Sequence, residues 1–135
     1  MPFWITYAFS GYSDTPARLE AAARAADDSV FAFARGSGGS TLSAVVVERT
    51  GEAHTVNVGD SRSYSFSRGK STDRLTVDDS LAEAVGGHGR ELIQFVGMGD
   101  GIKPHVRRIP DGSTGFLITT YPTDKIKEGE RIWPT

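Results

Sequence analysis

Asp60, Ser61 and Arg62 place a carboxylate, a hydroxyl and a guanidinium side by side within the stretch "HTVNVGDSRSYSF". The segments on either side alternate apolar with polar residues, which is the pattern of half-buried strands. Gly59 therefore opens a junction between two strands. Two interpretations are open. In one, the Asp accepts backbone amides in a tight turn and the Arg braces a strand end. In the other, these polar groups form the edge of a reaction site.

Other chemistry-bearing patterns in the sequence are weaker. The glycine-rich stretch Gly36–Thr41, "GSGGST", lacks the Lys of a phosphate-binding loop and leads into a strand, so it is interpreted as a flexible connector. The three histidines lack metal-ligand spacing and are expected to be solvated or hydrogen-bonded: His54, His88 and His105. No nucleophile-elbow motif supports a serine hydrolase.

Composition limits the classes of protein to consider. The 135 residues are enough for one domain, and a single domain over 1–135 is predicted. The formal net charge of -2 gives no electrostatic reason to expect nucleic acid or an anionic membrane as a partner. Cysteine is absent, which excludes disulfides and thiolate metal sites. The start of the sequence lacks the features of a signal peptide or a membrane span, so a cytoplasmic location is expected.

The first half of the chain predicts a strand, a helix and then more strands. Phe3 to Phe9 is rich in aromatic and β-branched residues, as strands are. Asp14 or Thr15 is expected to cap a helix that has Pro16 in its first turn. The spacing predicts that one apolar face of this helix is formed by Leu19, Ala22, Ala23, Ala26, Val30 and Phe33.

The remaining sequence predicts an antiparallel sheet with helices covering it, that is, an α+β fold. Three strands are expected within "TLSAVVVE", "AHTVNVG" and "SRSYSFS", with a turn at Thr50-Gly51. "LTVDDS" is interpreted as a helix cap, followed by two short helices at Leu81–Val85 and Glu91–Val96. The strands Val106–Ile109 and Gly115–Thr120 are predicted to form a hairpin around Asp111-Gly112.

Four blocks of the sequence, taken in order, resemble the metal-dependent protein phosphatase 2C family. They are "GGSTLSAVVV", "VNVGDSRSYSF", "RLTVDDSLAEAV" and "ELIQFVGMGDGIKPHVRRIPDGSTGFLI", within a match that covers most of Ala8 to Asp124. The resemblance identifies the chain as a degenerate and shortened member. It implies a reduced α/β/β/α sandwich of antiparallel sheets flanked by helices. Active members of this family hydrolyse phosphoserine and phosphothreonine with a metal-activated water.

The resemblance also implies that most of the metal ligands are lost. Such enzymes hold two hard cations with several carboxylates. The positions that correspond to two of these acids carry Ser10, next to Gly11, and Tyr121; a terminal Asp-Asn pair has no counterpart. Asp60 remains, at a position associated with a weaker cation. The former metal-site positions are therefore Ser10, Gly11, Asp60 and Tyr121, with Asp60 a weak ligand at best. No catalytic residue is predicted, and Gly59, Ser61 and Arg62 are interpreted as a structural turn.

The predicted function is that of a pseudophosphatase-like regulatory domain that binds a protein in Ser/Thr phosphorylation signalling, such as a kinase or a phosphoprotein. No cofactor is expected, and a homodimer is possible because the shortened frame leaves a sheet edge to be covered. The alternative is an active protein serine/threonine phosphatase that depends on Mn or Mg. Its centre would be rebuilt by Asp14, Asp100 or Asp124.

Overall fold

The computed structural model describes residues 14–86, 91–99 and 101–119. The predicted strand Phe3–Phe9 lies outside these residues. The described elements are, in chain order, α1 (Thr15–Ala34), β1 (Leu42–Val47), β2 (Ala53–Val58), β3 (Arg62–Phe66), β4 (Asp73–Arg74), α2 (Leu81–Val85), β5 (His105–Ile109) and β6 (Gly115–Thr119). Neither of these helices combines the length and the apolar character that crossing a bilayer requires.

Two antiparallel sheets of three strands each form the body of the fold, which confirms the α+β class. The first sheet has the order β1-β2-β5 and the second the order β4-β3-β6. β5 and β6 therefore belong to different sheets, and the predicted hairpin between them is wrong. The turn at Asp111-Gly112 instead carries the chain from one sheet to the other. That there is one domain over 1–135 stays a prediction.

Helix α1 begins as the sequence predicts. The Asp14 side chain accepts a hydrogen bond of 2.9 Å from the Ala17 amide, and Pro16 lies in the first turn. One face of α1 packs against Val56 and Val58 of the first sheet; its buried residues are Leu19, Ala23 and Ala26. The helix ends where Arg35 adopts the left-handed conformation with φ 52°.

The prediction that Phe33 joins the apolar face of α1 is wrong, because 91% of its surface is exposed. The 20 residues of α1 extend about 30 Å, whereas the six residues of β2 extend only about 20 Å. The last residue of α1 that packs against the apolar cluster is Val30, about one turn before Phe33. Phe33 lies two turns after Ala26 on the same face of α1, but its side chain remains exposed to solvent.

Strand β2 is buried on both faces, not on one as its alternating pattern predicts. Val56 and Val58 face α1, while Ala53 belongs to a cluster with Leu75 and Ile109 between the sheets. Thr55 and Asn57 alternate with Val56 and Val58, so they point with Ala53 into this second layer, which holds many hydroxyl groups. One example is the 2.6 Å contact between the Oγ atoms of Ser43 and Ser63, which joins the two sheets. Hydrogen-bonded polar side chains thus replace part of the expected solvent-facing surface.

The segment Glu91–Val96 is not the predicted helix. Leu92 forms a β-bridge with Ser80, and Val96 forms one with Ser40. Backbone hydrogen bonds of 2.9 and 2.8 Å join Ser40 and Val96 in both directions. This long-range pairing satisfies the amide groups that a helix would otherwise have satisfied internally.

Candidate functional site

The turn between β2 and β3 requires glycine at position 59. Gly59 has φ +104°, which side-chain-bearing residues rarely adopt. A Cβ atom there would lie only 2.6 Å from Cγ2 of Thr41. The Gly59 amide donates to Oδ2 of Asp79 over 2.9 Å, and its carbonyl accepts from the Asp79 amide over 3.0 Å. The turn is therefore held on one side by Thr41 and on the other by Asp79.

Asp79 joins three segments of the chain beside the Gly59 turn. Besides Gly59, its carboxylate accepts hydrogen bonds of 2.9 Å from Nε2 of Gln94 and contacts Nε2 of His105 at 2.6 Å. Burial acts to raise the pKa of Asp79, but the hydrogen bonds from His105, the Gly59 amide and Gln94 together lower it below its usual value. The hydrogen bond with Asp79 raises the pKa of His105 despite its partial burial.

We expect the His105–Asp79 pair to make stability depend on pH. The raised pKa of His105 gives a contribution that is complete below the ordinary histidine pKa of about 6.5 and is lost as pH rises through the folded value. The lowered pKa of Asp79 gives a second contribution to stability, which is complete above about pH 3.9 and is lost as pH falls through the pKa of the folded state. Stability from the pair is therefore greatest between about pH 4 and 6.5.

Urea unfolding at constant ionic strength from pH 4 to 9 measures this effect. The matched variant His105→Gln keeps a polar side chain but does not titrate, so its stability should decline less above about pH 6.5. Equal slopes in the two proteins over that range would show that the pair does not contribute.

Arg62 is held by a buried carboxylate from the segment that follows β4. Its Nε donates to both carboxylate oxygens of Asp78 at 3.0 and 3.2 Å, and its Nη2 donates at 2.7 Å. Arg74 donates to the same carboxylate at 2.8 Å. Asp78 is only 5% exposed, and its hydrogen bonds raise the pKa of Arg62 above its already high value. Both arginines are thus engaged within the fold.

Asp60 is partly buried beside two other acids, Asp78 and Asp79. Burial is the main cause that raises the pKa of its carboxyl, and the charge of Asp78 adds to this; its own backbone amide and Arg62 oppose the rise. The two other acids at this end, Asp78 and Asp79, are already occupied by arginines, His105, Gln94 and a backbone amide. Over residues 14–86, 91–99 and 101–119, no group of three side chains is arranged to bind a metal ion.

The other predicted site positions do not add ligands to Asp60 in the described residues. Ser10, Gly11 and Tyr121 lie outside these residues, as do Asp100, Asp124 and His88. Asp14 caps α1, and the hydroxyl of the next residue, Thr15, donates to the Glu48 side chain. Glu48 follows the last residue of β1, whereas Thr41, which contacts the Gly59 turn, precedes the first. This places Asp14 roughly 20 Å from the Gly59 turn, the length of a six-residue strand. This separation disfavours a centre shared by Asp14 and Asp60, and a rebuilt centre stays a prediction.

Ser61 is buried, and its Oγ lies 2.5 Å from Oγ1 of Thr41. The contacts of Gly59, Ser61 and Arg62 are those that a structural turn needs, and their assignment to that role alone stays a prediction.

Asp78 and Asp79, the acids that organise this end of the fold, are not among the residues that the sequence pattern singles out. The pattern "LTVDDS" predicts a helix cap, and Ser80 has that role: its Oγ accepts from the Glu83 amide at 3.3 Å. The sequence does contain a signal for a further role: a helix needs only one capping residue, so two acids before Ser80 are more than the cap requires. Gln94 was also missed, since its contact with Asp79 spans 15 residues.

Comparison with known proteins gives a likeness of fold and not of sequence. No family model matches the chain. No curated protein matches it either. A solved structure described as "PppA, a key regulatory component of T6SS in Pseudomonas aeruginosa" superposes with a TM-score of 0.59 and 19% sequence identity. The match covers 79% of this chain and 51% of that one, so the chain spans about half the length of that protein.

These comparisons correct the interpretation of the chain as a degenerate member of the protein phosphatase 2C family. The four blocks that carried the resemblance are not matched by any family model, and 19% identity to a solved structure shows the fold alone. The physical reason is visible in the blocks themselves. Their glycines and polar residues serve this fold directly, as Gly59 does in its turn and Arg62 does with Asp78.

Proposed function

We propose that this domain is a regulatory module that binds a protein partner and does not catalyse phosphate hydrolysis. The observation that carries the proposal is the use of the acids around Asp60. Asp78 and Asp79 are engaged in hydrogen bonds with the protein itself, and the carboxyl of Asp60 has a raised pKa. A carboxylate that binds a hard cation instead needs free oxygen atoms and further oxygen ligands beside it.

The likeness to PppA supports the regulatory part of this proposal. That protein is described as a regulatory component, and the likeness of fold covers most of this chain. Folds host many functions, so the likeness is an analogy and the site must carry the rest. A kinase or phosphoprotein as partner, and a homodimer, stay predictions; the proposal requires only that the partner is a protein.

We expect the protein not to bind Mn²⁺ or Mg²⁺ tightly, with dissociation constants no lower than the millimolar range that weak oxygen sites show, roughly 10⁻³ M. Isothermal titration calorimetry of the full chain with each ion measures this. In the presence of Mn²⁺, the wild-type protein and Asp60→Asn should hydrolyse p-nitrophenyl phosphate at the same rate.

Two tight sites, or turnover that Asp60→Asn abolishes, would contradict the proposal. That result would favour an active metal-dependent phosphatase.

A further inference from the structure

Four exposed aliphatic side chains lie on segments that meet beside the Gly59 turn. Val85 is 74% exposed, Val77 52%, Ile93 49% and Leu92 38%. We call these four residues the aliphatic patch. Scattered exposed aliphatic residues are common, but several on adjoining segments indicate a binding surface.

Hydrogen bonds hold the segments of the aliphatic patch together. The Ile93 amide donates to the Asp79 carbonyl at 3.0 Å, and Leu92 forms a β-bridge with Ser80. Ser80 also begins α2, which ends at Val85. The carbonyl of Val77 accepts from Nδ2 of Asn57, which ties this residue to β2. The patch therefore rests on a fixed frame, and binding would order few backbone groups.

The charges around the aliphatic patch are mostly negative. Glu83 and Glu91 are exposed, and Asp60 is partly exposed. Among the described residues, the cations nearest to this surface are Arg62 and Arg74. Both are paired with Asp78, and Arg74 also lies 3.6 Å from Glu83. Lys103 adds a positive charge to this region. Its backbone amide and carbonyl are hydrogen-bonded to the side chain of Gln94. Counted with their partners, five acids stand against three basic side chains and His105 in the described part of this region: Asp60, Asp78, Asp79, Glu83 and Glu91 against Arg62, Arg74 and Lys103. The acids remain in excess, so the surface favours a positively charged occupant.

We infer that the aliphatic patch binds a basic amphipathic segment of a partner protein. Its apolar residues would pack on the four aliphatic side chains, and its Lys or Arg residues would face Glu83, Glu91 and Asp60. This inference rests on the proposed function, because it names the kind of partner that the module binds. An anionic membrane is a poorer occupant, since like charges would face each other.

The test uses a fluorescent peptide of ~18 residues with Leu and Lys at helical spacing, and a twin in which Glu replaces Lys. Fluorescence anisotropy with the full chain at about 0.15 M salt measures both affinities. We expect the Lys peptide to bind and the Glu peptide to bind ~10-fold more weakly or not at all. Val85→Asp with Ile93→Asp should weaken binding by ~10-fold or more, as loss of central apolar contacts does.

Val47→Asp is the matched control, since Val47 is an exposed valine (57%) at the end of β1. Its affinity for the Lys peptide should equal that of the wild type. The double variant Glu83→Gln with Glu91→Gln removes charge but little volume, so it should weaken binding of the Lys peptide and reduce the salt dependence of that binding. This variant also tests the inference if the Asp variant fails to fold. Equal affinities of the patch variants and Val47→Asp, or no binding of the Lys peptide, would overturn the inference.

Sedimentation of the wild type and the Asp variant tests whether a second copy occupies the surface. A dimer that the Asp substitutions disperse, and that excludes the Lys peptide, would also overturn the inference. None of these results depends on phosphate hydrolysis in Mn²⁺, so failure of the noncatalytic proposal is recognised separately.

Discussion

Replacing Asp78 by Ala is expected to lower the free energy of unfolding by about 3–5 kcal/mol, the range found when one partner of a buried ion pair is removed. The carboxylate accepts four hydrogen bonds between 2.7 and 3.2 Å from Arg62 and Arg74. The two arginine side chains are only 17% and 19% exposed, so water cannot fully replace the lost acceptor. Because buried pairs are screened little by salt, the loss should persist at about 0.5 M NaCl.

Urea unfolding with the slope held equal to that of the wild type measures this loss. Asp73→Ala is the matched control, because Asp73 is exposed in β4; its effect should stay within about 0.5 kcal/mol. Asp78→Asn keeps the shape and one acceptor oxygen, so its loss should be smaller than that of Ala. If Asp78→Ala fell within the range of the control, Asp78 would not be the group that holds the two arginines.

Gly59→Ala should destabilise the fold by roughly 2–4 kcal/mol, because it combines an unfavourable backbone conformation with a steric clash. At φ +104° any Cβ is strained, and this one would also lie 2.9 Å from Cβ of Thr41 and 2.6 Å from its Cγ2. A shift that relieves the clash would lengthen the hydrogen bonds between Gly59 and Asp79.

Gly51→Ala separates the two causes. Gly51 has φ +91°, but an added Cβ has no atom within 4 Å. Its loss should therefore reflect the backbone alone, about 1–2 kcal/mol. Combining Gly59→Ala with Thr41→Ser removes Cγ2 while keeping the hydroxyl that contacts Ser61, and it should recover part of the loss. Equal losses at positions 51 and 59 would mean that Thr41 does not restrict the turn.

Local patterns in the sequence predicted most elements of this fold because their causes are local. Asp14 and Pro16 begin α1, and Thr50-Gly51 joins β1 to β2, because capping and turn formation involve residues only a few positions apart. The α+β class also follows from the order of such elements.

The errors arose where distant residues decide the structure. Phe33 has helical spacing that fits the core, but whether a core lies beneath it depends on the length of the sheet. The segment from Glu91 to Val96 instead forms bridges through Val96 with Ser40, which is far away in the sequence, and through Leu92 with Ser80. Tertiary pairing thus overrides local propensity in both cases.

The candidate site divides in the same way. The Gly59 turn was visible in the sequence, since glycine between two strand-like segments indicates a special backbone conformation. The roles of Asp78 and Asp79 were not, because their partners Arg62 and His105 lie 16 and 26 residues away. Family resemblance drew attention to missing acids, whereas the structure shows acids that are present and engaged in holding the fold.

The passage of the chain from β5 to β6 has a consequence for how the protein folds. β5 completes the first sheet by pairing with β2, and β6 completes the second by pairing with β3, so both pairings join residues about fifty positions apart. The five residues between these strands tie the two closing events together. Once one of these strands has paired, the short link holds the other close to its own sheet, so most of the loop-closure entropy is overcome once and formation of the two pairings is coupled. Folding of the sandwich is therefore expected to be slow for its size and all-or-none, without a stable state in which one sheet stands alone.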